Sequence, residues 1–275
     1  MAYKVSAYIP CHNNASSLAR CIESVQMQTH PVDEIIVIDD GSEDGSAAVA
    51  ASFPVRVIEN GRNVGLASTR NAALRYAGNG LVASVDADCV LSPRWLEECM
   101  KHFSDPRVAA VGGRLVEENV ERLADRWRAT RLKHHWGDSL KTDPPFLSGS
   151  NLVIRKDAAA KAGYYNDRIY RNNYEDVDIS LRLKACGLKL VYEPDAGAAH
   201  TRRDTVISAL RTYWNWKYHD YRPGYVMRPV FNSANTVKLV AENVRGGDPA
   251  LILLDLLSFF SSTYLDLKKY FLKRQ

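Results

Sequence analysis

The sequence has little cysteine, and none of it stands in metal-binding order. Five residues (Cys11, Cys21, Cys89, Cys99 and Cys186) are scattered, odd in number and set in apolar segments. That pattern suits buried thiols in a reducing compartment and offers no zinc spacing. Charge of one sign is scarce too: 36 Lys and Arg against 32 Asp and Glu leave +4, too mild to argue for a nucleic-acid partner. No G-x-G-x-x-G follows the first apolar run, where a dinucleotide dehydrogenase would carry it. The loop there, Pro10-Cys11-His12-Asn13-Asn14, also lacks the glycines and basic residues with which a nucleotidyltransferase holds a triphosphate. The amino terminus lacks the basic start and long apolar core of a signal peptide, so the expected location is cytoplasmic. A hydrophobic share of 46% and a charged share of 25% over 275 residues suit one large domain with a small appendage.

What the sequence does contain is acid at the ends of apolar runs. Residues 81–85 are apolar or small and stop at Asp86-Ala87-Asp88. Such a run reads as a buried parallel strand, and ligands of open α/β sheets bind beyond the carboxyl ends of strands. Two carboxylates there suit a hard divalent cation, Mg²⁺ or Mn²⁺, with a surface turn as the competing reading. The run 34–38 likewise ends in Asp39-Asp40-Gly41-Ser42. Further strands are expected over 3–9, stopped by Pro10, and over 55–58. Helices are expected over about 17–28, over 66–76 and from Ser92-Pro93 onward. The alternation predicts βαβ units and a mostly parallel sheet, with loops 10–14, 39–42 and 86–88 on one edge.

The middle of the chain reads as a strand over 107–116 and a basic helix over 120–136 with a solvated face. A strand over 146–154 follows, interrupted by Ser148-Gly149-Ser150-Asn151. A glycine within a strand often marks close approach of a ligand or another backbone. Glu175-Asp176-Val177-Asp178 opens a helix that ends at Gly187, with strand-like segments after it at 189–192 and 196–200.

Taken in order, these landmarks resemble the inverting glycosyltransferases of family 2, which share the GT-A fold. The landmarks are 9–13, 37–42, 65–72, Val85-Asp86-Ala87-Asp88, Ser148-Gly149-Ser150-Asn151, Glu175-Asp176-Val177-Asp178 and His200. The resemblance spans about 3–203. It implies an α/β, Rossmann-like GT-A domain over 1–203, its mostly parallel central sheet flanked by helices. About 1–105 would form the nucleotide-binding half and 106–203 the acceptor and catalytic half, leaving 204–275 as a helical C-terminal extension. It further implies transfer of a sugar, with inversion, from a nucleotide-diphosphate donor (UDP or dTDP favoured) to a hydroxyl acceptor. That acceptor would be a saccharide or lipid-linked saccharide in surface polysaccharide or glycoconjugate assembly. A non-catalytic partner subunit or carbohydrate-binding module is the competing reading; loss of acids would signal it, and Asp86, Asp88 and Asp176 are all present.

The resemblance also distributes roles. Pro10, His12, Asn13, Asp40, Arg70 and Asp86 are expected at the nucleotide sugar. Asp40 would accept the N–H of a pyrimidine, and His12 would stack on it or make a local loop hydrogen bond. Arg70 would add a positive contact, and Asn71 would be structural. Asp88, with Asp86 and His200, would hold Mn²⁺ or Mg²⁺; His200, followed by Arg202-Arg203, would be such a metal ligand or a phosphate contact, with a satisfied structural histidine as the competing reading. Asp176, beside Glu175, would be the general base, with helix capping as the competing reading. Gly149, Ser150 and Asn151 fall on the acceptor side; Trp214 is also expected there, from the aromatic cluster of the tail rather than from the resemblance.

Beyond 203 the pattern fades. Asp204 is expected to cap a helix of about fifteen residues carrying Tyr213, Trp214, Trp216 and Tyr218, followed by Tyr221 and Tyr225. This cluster is either a core flange or a platform for a sugar or lipid acceptor. From 202 to 275 there are twelve Lys or Arg against six Asp or Glu, so the basic surplus sits in the tail. In the last helix, 249–274, Asp255, Ser258, Ser262, Asp266, Lys269 and Lys273 share one stripe, and the rest is mostly Leu, Ile, Phe and Tyr. Asp255 near the middle of the apolar run costs about 2.5–3.5 kcal/mol at a bilayer centre and argues against a span. The apolar face still needs cover: the protein's own core, a second subunit in a homodimer, or the inner face of the plasma membrane.

Overall fold

A computed structural model describes residues 3–220, 228–246 and 248–272. Tyr221, Tyr225, Lys273 and Arg274 lie outside them, as does the side chain of Tyr218. In chain order the first elements are β1 (Val5–Cys11), α1 (Ala15–Gln26), β2 (Glu34–Asp39), α2 (Ser46–Ala51), β3 (Arg56–Glu59), α3 (Leu66–Tyr76) and β4 (Leu81–Val85). Next come β5 (Cys89–Leu91), α4 (Trp95–Met100), β6 (Val108–Glu117), α5 (Leu123–Arg131), β7 (Asn151–Arg155) and α6 (Lys156–Lys161). The last are α7 (Glu175–Ala185), β8 (Lys189–His200), α8 (Val206–Asp220), α9 (Arg228–Gly246) and α10 (Ala250–Leu272).

The chain divides into two compact units, 1–118 with 134–202 and 119–133 with 203–275. The break near 203 was expected. Residues 119–133, assigned by sequence to the catalytic half, cluster instead with the C-terminal helices.

The first unit is built on an eight-stranded sheet of order β3-β2-β1-β4-β7-β6-β8-β5. Four of its neighbouring pairs are parallel (β1–β2, β1–β4, β2–β3 and β6–β8). The central strands read as unbroken apolar runs because both faces are covered: β1 and β4 are buried along their whole length. β1 does not stop at Pro10. Its pairing with β4 ends at Tyr8, while its pairing with β2 continues to Cys11 opposite Asp39. Beyond Tyr8 the strand has a partner on one side only, the place where a proline without an N–H is tolerated. The strand expected from 146 begins only at Asn151, because the backbone of Gly149 bonds to side chains rather than to a neighbouring strand. Its carbonyl accepts from Ser84 Oγ and Arg70, and its N–H donates to Asp176 Oδ2 at 3.0 Å.

The second unit is helical. The expected helix over 120–136 is shorter, and its basic face is not simply solvated. Arg128 is buried against Asp204 at 2.7 Å, and Arg131 is buried against Asp255 at 2.9 Å. Tyr213 joins Trp127, Leu239 and Leu254 in an apolar core, which answers the choice between flange and platform for that residue.

Helix α10 meets the length and composition of a membrane span over Ala250–Phe271, a possibility that the sequence reading rejected. Its polar stripe nevertheless turns inward: Asp255, Ser258, Ser262 and Asp266 are all buried. Asp255 accepts from Trp127 Nε1 at 2.8 Å, from Arg131 and from Asn243 Nδ2. Asp266 accepts from Trp214 Nε1 at 3.0 Å, from Arg228 and from Asn232.

Candidate active site

Asp40 and Asp86, the acids that follow β2 and β4, line one cleft of about 310 Å³ in the first unit, together with Pro10, His12, Asn14, Asp88 and Arg202. The parallel pairings of β1 with β2 and β4 carry these strand ends to the same edge. Asp40 is held there by the 60–65 loop. Its Oδ1 accepts from Asn60 Nδ2 and Val64 N, and its Oδ2 accepts from Gly65 N, each at 2.9 Å. A carboxylate has about four lone-pair sites, so one on Oδ2 remains for a ligand N–H. His12 is exposed on the cleft, with its ring nitrogen 3.4 Å from Asn13 Nδ2. Asn13 does not line the cleft; its backbone N–H donates to Ser42 Oγ and its Oδ1 accepts from Glu43 N, tying two loops together.

Arg70 corrects the expectation of a positive contact to the nucleotide. Its side chain is 2% exposed and is consumed inside the protein. It donates to Asp86 Oδ1 at 2.8 Å, to Ser84 Oγ at 3.0 Å and to the Gly149 carbonyl, and it lies 3.8 Å from Glu175. This explains the glycine. A Cβ at Gly149 would overlap the guanidinium, so the close approach anticipated there is made by Arg70. Asn71 is structural as expected, its side chain bonded to the backbone of Tyr165. Asp86 is thereby neutralised by Arg70 and stands apart from the cluster of potential metal ligands.

That cluster is assembled by the sheet. β8 lies between β6 and β5, and its last residue, His200, pairs with Glu117 on one side and Cys89 on the other. His200 Nε2 lies 3.2 Å from Asp88 Oδ2, and its Nδ1 lies 3.0 Å from Glu117 Oε1. Burial opposes a charge on the imidazole, yet the two carboxylates raise it to about 9. Burial also opposes the charge on Asp88, and His200 with Arg202 holds that carboxyl well below its usual range. Asp88, Cys89 and His200 lie within reach of one cation. Burial pushes the Cys89 thiol far up, so carboxylate and imidazole are the competent ligands, a donor set that fits Mn²⁺ or Mg²⁺. Glu117 was missed in the sequence, although it too is an acid closing an apolar run.

Asp176 is the second residue of α7, which follows Tyr174 in the left-handed region (φ 75°). Its Oδ2 accepts from Gly149 N at 3.0 Å and its Oδ1 from Val177 N at 2.8 Å. The peptide of Gly149 and the guanidinium of Arg70 thus connect it to Asp86 at the cleft edge. Burial raises its pKa despite these donors. The neighbouring Glu175 is 3% exposed, and burial followed by the charge of Asp176 pushes it up to about 8. Of the pair, Asp176 is half-buried and open to solvent, whereas Glu175 faces Arg70. Ser150 accepts from Asp86 N through its carbonyl, and Asn151 is fully buried in β7. Trp214 belongs to the second unit, where its indole N–H is bonded to Asp266.

The model of the family described as "Glycosyl transferase family 2" matches residues 6–163. A "Pre-mycofactocin glycosyltransferase" of Mycobacterium tuberculosis is 32% identical over 208 residues, covering 72% of this chain and 43% of that protein. The chain therefore spans less than half the length of this relative. Among solved structures, GalNAc-T7 with UDP, GalNAc and Mn²⁺ superposes at a TM-score of 0.61 and 21% identity, covering 74% of this chain and 44% of that one. The mannosyltransferase PcManGT from Pyrobaculum calidifontis, with GDP-Man and Mn²⁺, superposes at 0.60 and 18% identity, covering 94% and 74%. Both have the GT-A fold expected from the sequence. With its strand-end acids gathered on one cleft and more than half its length matched, the chain belongs to glycosyl transferase family 2.

Proposed function

We propose that the chain is a metal-dependent, inverting glycosyltransferase. It moves a hexosyl or deoxyhexosyl group from a UDP- or dTDP-sugar to a hydroxyl of a saccharide or lipid-linked saccharide in surface glycoconjugate assembly. The observation that carries this reading is the convergence of Asp40, Asp86 and Asp88 on one cleft, with Asp176 reached through Arg70 and Gly149. Asp40 accepts the pyrimidine N–H, and Arg202 offers positive charge to the diphosphate. Asp88 and His200 would hold a divalent cation, which would supply Lewis-acid stabilisation of the charge that grows on the leaving group. Asp176 takes the proton of the acceptor hydroxyl as that oxygen bonds to the anomeric carbon. The bond to the diphosphate breaks on the opposite face, which inverts the centre. A carboxylate whose pKa is raised by burial is the stronger base for this step. Five unpaired thiols suit a cytoplasmic setting. One neighbouring fold holds UDP and the other GDP-Man, each with Mn²⁺, which supports a nucleotide-sugar donor and a divalent cation without favouring one base.

Thermal-shift measurements with UDP-, dTDP- and GDP-sugars, with and without Mn²⁺, test the donor. A specific ligand stabilises the folded state by mass action, so a UDP- or dTDP-sugar with Mn²⁺ gives the largest rise in Tm. A GDP-sugar winning, or no dependence on metal, overturns the assignment.

Glu117 keeps the proton of His200 on Nδ1 and leaves Nε2 for the metal. Glu117→Gln is expected to weaken Mn²⁺ binding by about 10–100-fold, the usual effect of losing a carboxylate behind a ligating histidine. Titration of the free Mn²⁺ resonance reads this directly, without reference to turnover.

A further inference from the structure

The outer side of the α9–α10 pair carries a pattern that the transfer reaction leaves unexplained. Both helices rest their inner faces on α5 and α8: Asp255 bonds to Trp127 and Arg131, Asp266 to Trp214, and Asn235 to Tyr213. Their outer faces therefore share one side of this unit, and among the described residues no element covers it. On α10, Leu253, Leu257, Phe260, Tyr264, Leu267 and Phe271 are each between 40% and 65% exposed. They recur at intervals of four and three residues. On α9, Val230, Ala234, Val237, Ala241 and Val244 are all exposed and recur in the same way. This is the heptad spacing of a helix–helix seam.

The spacing and its surroundings identify the occupant. The seam on α9 is bordered by exposed Ser233, Lys238, Glu242 and Arg245. Charges of both signs border paired helices in water but are costly against a bilayer. The two seams also differ in bulk: α9 offers only Val and Ala, α10 only Leu, Phe and Tyr. Facing positions that alternate small with large interdigitate, so one chain carries both halves of a fit. Exposed Leu, Phe, Tyr and Val on the two faces leave on the order of 1,000 Å² of apolar surface in water, above the roughly 800 Å² per partner of a standard interface.

We propose that this face is a two-fold interface between two copies of the chain, with α9 of each copy seated against α10 of the other. Such an isologous contact covers both seams at once.

Sedimentation velocity on the 275-residue chain, at about 1–100 µM without lipid or detergent, is the test. The expected mass is twice the 30.8 kDa of one chain. Phe260→Glu and Val237→Lys should each raise the dimer Kd by at least tenfold and leave single chains, while circular dichroism and Mn²⁺ binding stay as in the parent protein. Mixing the two variants in equal amounts should restore the double mass, because the opposite charges then meet across the interface. A parent protein that sediments as a single chain throughout overturns the proposal. So does a dimer that survives both substitutions, or a mixture that stays monomeric. Flotation of single chains with phosphatidylglycerol vesicles, abolished by Phe260→Glu, would assign the face to a membrane instead. None of these readings depends on which sugar, if any, is transferred.

Discussion

Asp176→Asn is expected to lower the transfer rate by about 10²–10⁴-fold, the range for loss of a general base, with donor affinity nearly unchanged. The argument rests on which of two adjacent acids can meet an acceptor. Asp176 reaches solvent, and the N–H groups of Gly149 and Val177 orient its carboxylate. Glu175 is buried beside Arg70 and, with a pKa of about 8, is largely protonated at neutral pH. Glu175→Gln should therefore retain transfer within a few-fold. It should also change stability in a pH-dependent way. A carboxyl whose folded pKa lies above its unfolded value favours folding in full below about 4.5, and that contribution is lost as pH rises through about 8. Urea melts should show the parent protein losing stability over this window and the Gln variant losing much less. Equal activity of Asp176→Asn and the parent protein would remove Asp176 from the chemistry.

Asp255→Ala is expected to destabilise the helical unit by about 3–5 kcal/mol, the cost of removing one partner of a buried ion pair. Asp255 is fully buried and accepts from Trp127, Arg131 and Asn243. Its removal strands the guanidinium of Arg131, which keeps only Glu242 and the Leu239 carbonyl. Fluorescence of Trp127 and its neighbours during a urea melt should show this unit unfolding first, while donor-induced stabilisation of the sheet unit persists. An unchanged melt would mean that the buried network contributes little.

The acids of the cleft were legible because each one ends an apolar run, and a buried strand that stops at a charge announces its own end. Asp40, Asp86 and Asp88 could be placed on one edge for that reason alone. The neighbours of His200 could not. Its contacts with Asp88 and Glu117 depend on β8 being flanked by β5 and β6, and β5 is only three residues long. Arg70 was misread because a charge in a sequence carries no mark of burial. Only the packed structure shows that Ser84, Asp86 and Gly149 absorb its donors.

By itself, the sequence determined the alternation of the longer strands and helices, the family, and the fact that α10 has one polar and one apolar face, but α2, β5, α6 and α9 were not read from it. The tertiary structure alone decided which of those faces points inward. Periodicity separates two sides of a helix but assigns neither to the interior. That choice fell to Trp127 and Arg131 on α5 and Trp214 on α8, whose donors satisfy Asp255 and Asp266 in the interior and leave Leu253, Leu257, Phe260 and Phe271 outside.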